Sequence, residues 1–299
     1  MVETEIACPH CAATARLWFG AADRNRNISA EEFMYFRCEN CRLVFLHPQP
    51  VELGKYYPPS YYPLPSSVEL LGVAAEDERY KLDIVKRFRN SGRLLEIGPA
   101  TGGFALLAKR AGFDVSAIEM SPECCEFLSR VVGIPVVNSR SEVAALSASE
   151  PVDVIALWHV VEHLRDPFEL IAVAAQRLRP GGILVIAAPN PSAFQFSLLR
   201  SYWTHVDAPR HLFLIPISVM QEALKNQGLH PLLTTTTDPG SLGWNRFGWE
   251  YSFANFLSSP RLRHYAMRVG RLLTRVLSPL EEVEGRGSAY TVVFQRPQG

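Results

Sequence analysis

The chain has 299 residues, enough for one main domain with one or two appendages, and 47% of them are hydrophobic, which suits a sizeable core. Thirty basic and thirty acidic residues cancel, with a pI near 7.1, and a protein that relies on many phosphate contacts is usually basic, so a nucleic-acid partner is disfavoured. No apolar run approaches the ~18 residues of a membrane span and no signal-peptide pattern opens the chain, so the expectation is a soluble, cytoplasmic protein.

The first predicted element is a metal ribbon over residues 1–47. Four of the six cysteines fall as Cys8-Pro9-His10-Cys11 and Cys38-Glu39-Asn40-Cys41. Each C-x-x-C places two thiolates on one turn, and two such knuckles close a tetrahedral site suited to structural Zn2+. Disulfides are the competing reading, but a cytosolic enzyme keeps such thiols reduced. A closed site contributes roughly 10–16 kcal/mol of apparent binding free energy, enough to order a segment with little core of its own. Cys124 and Cys125 read as ordinary helix residues. Leu43 to Leu46 is an expected strand, ended by Pro48 and Pro50. Residues 48–74 read as a linker, since Tyr56 to Pro65 holds four prolines and four tyrosines and resists helix formation. An amphipathic helix is expected from about Ala75 to Arg89, through Tyr80, Ile84, Val85 and Phe88.

Residues Arg93 to Pro122 then spell strand, glycine turn, helix, strand and a lone acid. Leu94, Leu95 and Ile97 supply the first strand, and Gly98, Gly102 and Gly103 let the backbone turn tightly and approach a ligand. A helix from Phe104 to Arg110 ends at Gly112, and Val115 to Ile118 forms the next strand. Glu119 follows about 20 positions after Gly98, where such units hold a ribose diol. Ala100 stands where a dinucleotide fingerprint needs its second glycine, which counts against a pyrophosphate. Glu96 would repel a pyrophosphate but attract an ammonium group. A nucleoside that carries an amino acid fits both residues. On E-I-G-P-A-T-G-G the chain resembles the class I S-adenosylmethionine (SAM) methyltransferases, departing from their first motif at Ala100.

The strand–helix alternation continues and predicts a doubly wound, mostly parallel sheet of seven strands. Ser121-Pro122 opens a helix, Ile134 to Val137 is a strand, and Asn138 and Ser139 stand where family members often place an adenine-binding acid. Val152 to Leu157 is the next strand, followed by Trp158, His159 and the string E-H-L-R-D-P. A helix from Asp166-Pro167 to Leu178, a turn at Arg179–Gly182 and a strand at Ile183 to Ala188 complete the run. E-H-L-x-D-P and L-R-P-G-G-x-L again resemble this superfamily, so the motifs together cover about residues 80–236. The resemblance implies SAM contacts at Glu96, Gly98, Ala100, Gly102, Gly103, Phe104, Glu119, Met120, Trp158 and His159.

His159-Val-Val-Glu162-His163 also matches the inverted zinc-peptidase motif, in which both histidines share a helix face. Its position after a parallel strand argues against a peptidase. Some quinone-type O-methyltransferases are similar here, with an acid in place of His159, which keeps a divalent ion near the acceptor as an option. The preferred reading has Trp158 and His159 lining the SAM site and Glu162 and His163 bracing the next helix.

Residues 202–216 form a loop bearing His205, Asp207, Arg210 and His211 above the carboxyl edge of the sheet. An alcohol acceptor must lose a proton as it attacks, so His205, His211 and Asp207 are the catalytic candidates. Ser218 and Gln221 suggest a capping box for a helix to Asn226. Leu229 to Thr236 and Ala289 to Phe294 are expected as an antiparallel edge pair, interrupted by a basic helical insertion at about 240–285. From Tyr251 to Leu280 there are five arginines and no acid, a pattern that fits a packed solvated face, an anionic membrane or a phosphorylated acceptor.

The reading is a SAM-dependent methyltransferase on residues 75–299 with an amino-terminal zinc ribbon, most simply O-methylating a small-molecule, sugar or lipid-linked acceptor. The alternatives are a zinc-ribbon RNA methyltransferase and a non-catalytic adaptor with a vestigial SAM site.

Overall fold

Twelve strands separate into two sheets in the computed structural model, which describes residues 4–58, 61–257 and 259–298. The amino-terminal strands are β1 (Glu5–Ala7), β2 (Thr14–Ala22), β3 (Glu32–Cys38) and β4 (Val44–Leu46). They form an antiparallel meander. Next come α1 (Val68–Ala75), α2 (Arg79–Lys86), β5 (Arg93–Ile97), α3 (Gly103–Arg110), β6 (Asp114–Glu119), α4 (Pro122–Phe127) and β7 (Val136–Asn138). The chain continues through α5 (Glu142–Ser147), β8 (Val152–Trp158), α6 (Pro167–Arg177), β9 (Leu178–Pro189) and α7 (Phe194–Leu199). It closes with β10 (Phe213–Leu214), α8 (Ile217–Asn226), β11 (His230–Thr235), α9 (Pro239–Ala254), α10 (Pro260–Glu281) and β12 (Ala289–Gln295).

The larger sheet has the order β11-β12-β9-β8-β5-β6-β7. Strands β5 to β9 are parallel, and β12 lies antiparallel between β9 and β11. This is the expected seven-stranded, mostly parallel sheet with its antiparallel edge. The first crossovers run outward from β5 to β6 and β7, and the later ones from β8 to β9 on the other side. Reversal at the β5–β8 boundary opens a crevice at the strands' carboxyl ends, the usual ligand position in such sheets.

Side chains alternate across the sheet and build two cores. On β8, Ile155 and Leu157 face one core, while Val154, Ala156 and Trp158 face the other. The first core is shared with the ribbon, because Phe33, Tyr35, Phe36 and Phe45 are buried together with Leu170, Phe196, Trp203 and Met220. The ribbon sheet also takes its fifth strand from the far loop: β10 pairs with β4 at Phe213↔Phe45 and Leu214↔Val44. The amino-terminal module is thus packed against the larger domain and hydrogen-bonded to the loop that follows its fifth parallel strand.

Four local expectations are corrected. The helix expected over 75–89 begins at Val68, where Ser67 Oγ accepts from Leu70 N, and a 3-10 turn at Glu76–Glu78 divides it into α1 and α2. The Arg179–Gly182 turn is absorbed into β9, with Gly181 at φ +75 and a register irregularity against β8. No capping box forms at α8: Pro216 is its N-cap, Ser218 lies inside the first turn, and Gln221 donates to Thr234 Oγ1 of β11. The basic stretch is two helices rather than one. Asp238 caps α9 by accepting from Gly240 N and Ser241 N, and α10 returns across it. Gly270 permits that crossing, since a Cβ there would sit 2.5 Å from the Trp249 carbonyl oxygen.

Candidate active site

The glycine turn after β5 holds two residues in left-handed backbone near the crevice, Gly98 at φ +66 and Gly102 at φ +79. A Cβ on Gly98 would meet Val160 Cγ2 at 2.8 Å, and one on Gly102 would meet Leu128 Cδ2 at 2.3 Å. Ala100 also has positive φ, at 51°, so the turn is tight where the fingerprint departs from glycine. Glu119 ends β6 and clasps this turn. Its Oε2 accepts from Ala100 N at 3.1 Å and its Oε1 from Ser121 N at 2.8 Å. Asn138 donates to the carbonyls of Glu119 and Met120, so it braces the strand end.

Gly98, Glu119, Met120 and His159 line a cavity of about 110 Å³ at the crevice, with Tyr57 and Tyr62 of the linker opposite. It adjoins a larger cavity of about 640 Å³, walled by Tyr57, Tyr61, Tyr62, Met120, Ser121 and Arg140. Glu96, Ala100, Gly102, Gly103, Phe104 and Trp158 lie behind this surface and line neither cavity. Strand alternation explains Trp158: it points into the second core, edge-on to Phe104 at 5.5 Å, and its Nε1 has no partner among the described residues. Glu96 faces the same side, and burial pushes its carboxyl up to about 8, Lys81 opposing and Glu78 and Glu119 reinforcing the shift. Its Oε2 also lacks a hydrogen-bond partner among the described residues. A buried carboxyl with a spare acceptor is suited to an incoming ammonium group, whose charge would favour its ionised form.

A third cavity of about 510 Å³ lies on the other side of His159 and His163, which border both it and the crevice cavity. His205, Asp207 and His211 line it, as the loop reading expected, together with Trp244, Phe247 and Tyr251 of α9 and Asn25 and Arg26 of the ribbon. The His211 Nδ1 lies 2.8 Å from the His205 carbonyl oxygen, which can only accept, so Nδ1 carries the proton and Nε2 the lone pair. Nε2 stands 3.9 Å from Asp207 Oδ2. His205 Nε2 likewise donates to the Trp244 carbonyl, and burial drives its pKa down to about 3. His163 is held near 4 by burial and by neighbouring His211. Both are neutral at pH 7.

Asp207 sits in the left-handed region at φ 38 and is the centre of a clasp. Arg210 donates to it through Nε and Nη2, Asn25 donates from the ribbon, and Arg210 Nη2 also reaches Asp23 Oδ1 at 2.7 Å. Burial raises the Asp207 carboxyl, but Arg210 outweighs it and holds the pKa near 2. Asp207 is therefore ionised and spoken for, a positioning group beside His211.

His159 and His163 do not share a helix face. His159 has φ 57 and precedes a single 3-10 turn, Val161–His163, which excludes the zinc-peptidase geometry. Glu162 and His163 do not brace α6 either; their side chains turn toward His211, and His163 Nδ1 lies 2.9 Å from Tyr57 Oη and 3.1 Å from the Arg210 carbonyl. Burial alone would raise the Glu162 carboxyl, and the imidazoles of His159, His163 and His211 reverse this. Glu162 Oε1 stands 3.4 Å from His159 Nδ1, a long contact, and Oε2 has no hydrogen-bond partner among the described residues. Sequence reasoning missed Asn25, Arg26, Trp244, Phe247 and Tyr251. The α9 aromatics carried a signal, recurring at helical spacing in a segment read only for its arginines; the two ribbon residues carried none.

In the ribbon, the Sγ atoms of Cys8, Cys11, Cys38 and Cys41 all lie within 4.8 Å of one another. Cys11 and Cys38 stand 3.5 Å apart and Cys8 and Cys41 3.7 Å apart. Thiolates about 2.3 Å from a tetrahedral zinc are about 3.8 Å apart, so this set fits the ion.

Comparison with known proteins agrees with this geometry. Residues 73–233, more than half of the chain, match the family described as methyltransferase domain. A ubiquinone biosynthesis O-methyltransferase of Cereibacter sphaeroides is 25% identical over 183 residues, covering 54% of this chain and 68% of that protein. Its namesake in a Caulobacter species is 30% identical over 113 residues, covering 36% and 45%. Among solved structures, a SAM-dependent methyltransferase from Archaeoglobus fulgidus superposes with a TM-score of 0.50 at 17% identity, over 74% of this chain and 93% of that one. A mycolic acid cyclopropane synthase gives 0.51 at 14% identity, over 73% and 83%. Those two likenesses concern the fold alone. The chain belongs to the methyltransferase domain family. It is a class I SAM-dependent methyltransferase, and the buried Glu96 carboxylate, the glycine turn and Glu119 are the features here that fit SAM.

Proposed function

We propose that this enzyme O-methylates a small-molecule hydroxyl bound in the 510 Å³ cavity, with His211 accepting the hydroxyl proton. The observation that carries the reading is the His211 geometry: Nδ1 is committed to the His205 carbonyl, Nε2 is left as a base, and Asp207 stands near to balance the charge that forms. SAM, when bound, supplies an electrophilic methyl group. Glu96 would hold its ammonium and Glu119 its ribose, with the adenine end toward Met120, Ser121 and Arg140 in the larger cavity. His159 and His163 border both the crevice and the acceptor cavity, so the two substrates meet there. Alignment of two substrates supplies roughly 7–11 kcal/mol, so the base adds to a rate already raised by proximity.

Trp244, Phe247 and Tyr251 favour a flat, largely apolar acceptor, and Arg26 and Arg263 at the same cavity favour an acidic substituent. The names of the curated relatives support oxygen as the methylated atom. The four cysteines would hold a structural Zn2+ that keeps Asn25 and Arg26 in place. A screen of phenolic and aliphatic hydroxyl acceptors with labelled SAM tests the reading. Once an acceptor is found, His211→Ala should lower kcat about 100-fold while SAM affinity changes less than twofold. An unchanged kcat would remove His211 from the chemistry.

A second reading is favoured by the buried Glu162 carboxyl group, whose Oε2 has no partner among the described residues. Glu162, His163 and His211 present ligand atoms within 4.8 Å of one another, a set able to hold a divalent ion near the acceptor. Full activity after chelation supports His211 as the base; loss of activity restored by Mg2+ or Mn2+, with the ribbon zinc retained, supports the ion.

A further inference from the structure

The outer face of α10 has no partner among the described residues. Leu262, Tyr265, Val269, Leu272, Val276 and Leu280 recur at steps of three or four residues, and each is between 43% and 64% exposed. Such spacing places all six on one stripe along the helix. The opposite face is the one used for packing: Gly270 meets α9, and buried Glu281 accepts from Gln195 and Trp249. The stripe is therefore surplus to the core.

Charge beside the stripe identifies what covers it. Arg261, Arg268 and Arg275 repeat every seven residues along one edge and are exposed, with no carboxylate within 4.0 Å among the described residues. His264 and Arg271 are exposed further round the same side of the helix, and Glu250 accepts from Arg271. No Asp or Glu occurs from Tyr251 to Leu280. A second copy of the helix would bring only more arginine to this edge and no carboxylate to meet it. An apolar partner groove would leave the arginines unanswered. A surface that is apolar within and uniformly anionic above answers both.

We propose that α10 lies flat on an anionic lipid bilayer, its apolar stripe among the acyl chains and Arg261, Arg268 and Arg275 at the phosphates. No helix among the described residues is long and apolar enough to cross a membrane, so the contact is peripheral. Twenty-two residues give a footprint about 33 Å long. Arg263, on the packed face of α10 with Gly270, lines the acceptor cavity, so docking would set that cavity on the protein side of the helix. The inference is independent of which atom the enzyme methylates.

Vesicle flotation of the full chain tests it, comparing phosphatidylcholine alone with vesicles holding about 30% phosphatidylglycerol. Binding to the anionic vesicles should exceed binding to neutral ones about tenfold and fall on going from about 50 to about 500 mM salt. The double variants Leu272→Asp/Val276→Asp and Arg268→Glu/Arg275→Glu should each abolish flotation. All four positions are exposed, so both variants should keep the parent melting temperature and SAM affinity. Absence of flotation, or equal binding to neutral vesicles, overturns the proposal. So does light scattering that shows a dimer in solution which Leu272→Asp/Val276→Asp converts to monomer, since the stripe would then belong to a second copy.

Discussion

Replacing Glu96 by Gln separates two consequences of one buried carboxyl. Burial raises its pKa from an ordinary value near 4.5 to about 8, so the folded chain binds a proton that the unfolded chain releases anywhere between those limits. Stability must then fall as pH rises from about 4.5 to about 8. Each pH unit in that window is worth about 1.4 kcal/mol, so by pH 7 the cost is on the order of 3 kcal/mol. Gln keeps the shape and cannot ionise. Urea unfolding of both proteins from pH 5 to pH 8.5 should show the variant gaining on the parent steadily, and taking the difference cancels the other titrating groups. Glu281, raised to about 7 by burial, and His163 and His205 are common to both chains. Calorimetry of SAM binding should show the opposite preference. The ammonium group needs the ionised carboxylate, so parent affinity should rise up to pH 8 with a proton released, while the variant's affinity stays flat with pH and falls about tenfold below the parent's at pH 8. A parent-minus-variant stability that does not change with pH would refute the burial argument. A pH-dependent stability with equal SAM affinity would refute only the ammonium assignment.

Three other perturbations test the frame. Asp23→Ala removes one partner of the buried Arg210 and should destabilise the chain by about 3–5 kcal/mol in urea unfolding; a loss under 1 kcal/mol would mean Asp207 alone satisfies the guanidinium. Cys38→Ser should remove one equivalent of zinc by elemental analysis and raise acceptor KM while leaving SAM affinity within about twofold, because the ribbon touches the acceptor cavity and not the glycine turn. Metal-free parent protein that remains folded would sink the zinc assignment. Gly270→Val should cost about 1–3 kcal/mol in thermal unfolding by forcing α10 off the α9 backbone, and an unchanged melting curve would show that the crossing is loose.

The cofactor half of the enzyme was legible because its signals are local. A turn that needs left-handed backbone announces itself through Gly98 and Gly102, and the acid that clasps it follows at a fixed interval through one helix and one strand. The same locality predicted the parallel ladder, since β5 to β9 are each a short apolar run between helices. Locality also set the errors. Trp158 was placed by its distance from the strand end, whereas its orientation is decided by the period-two alternation that sends it to the Phe104 side. Ser218 and Gln221 have the spacing of a capping box, but pairing of β10 with β4 and the proline after it begin the helix before Ser218.

The acceptor half was less legible because it is assembled from segments far apart in sequence. Asn25 of the ribbon donates to the Thr204 carbonyl and to Asp207, Thr204 Oγ1 donates to Asn25 Oδ1, and Asn255 at the end of α9 donates to the same oxygen. One asparagine side chain therefore joins ribbon, loop and helical insertion around the cavity. Arg210 adds the charged counterpart, held between Asp23 and Asp207 with its side chain fully buried. A guanidinium buried this deeply is tolerable only while both carboxylates stay in place. The position of His211 thus depends on a ribbon turn that Asp23 itself shapes by accepting from Arg26 N and Ile28 N. The four cysteines stand at the opposite end of the β2–β3 hairpin from this turn, so any influence of theirs on the cavity must pass along the paired strands.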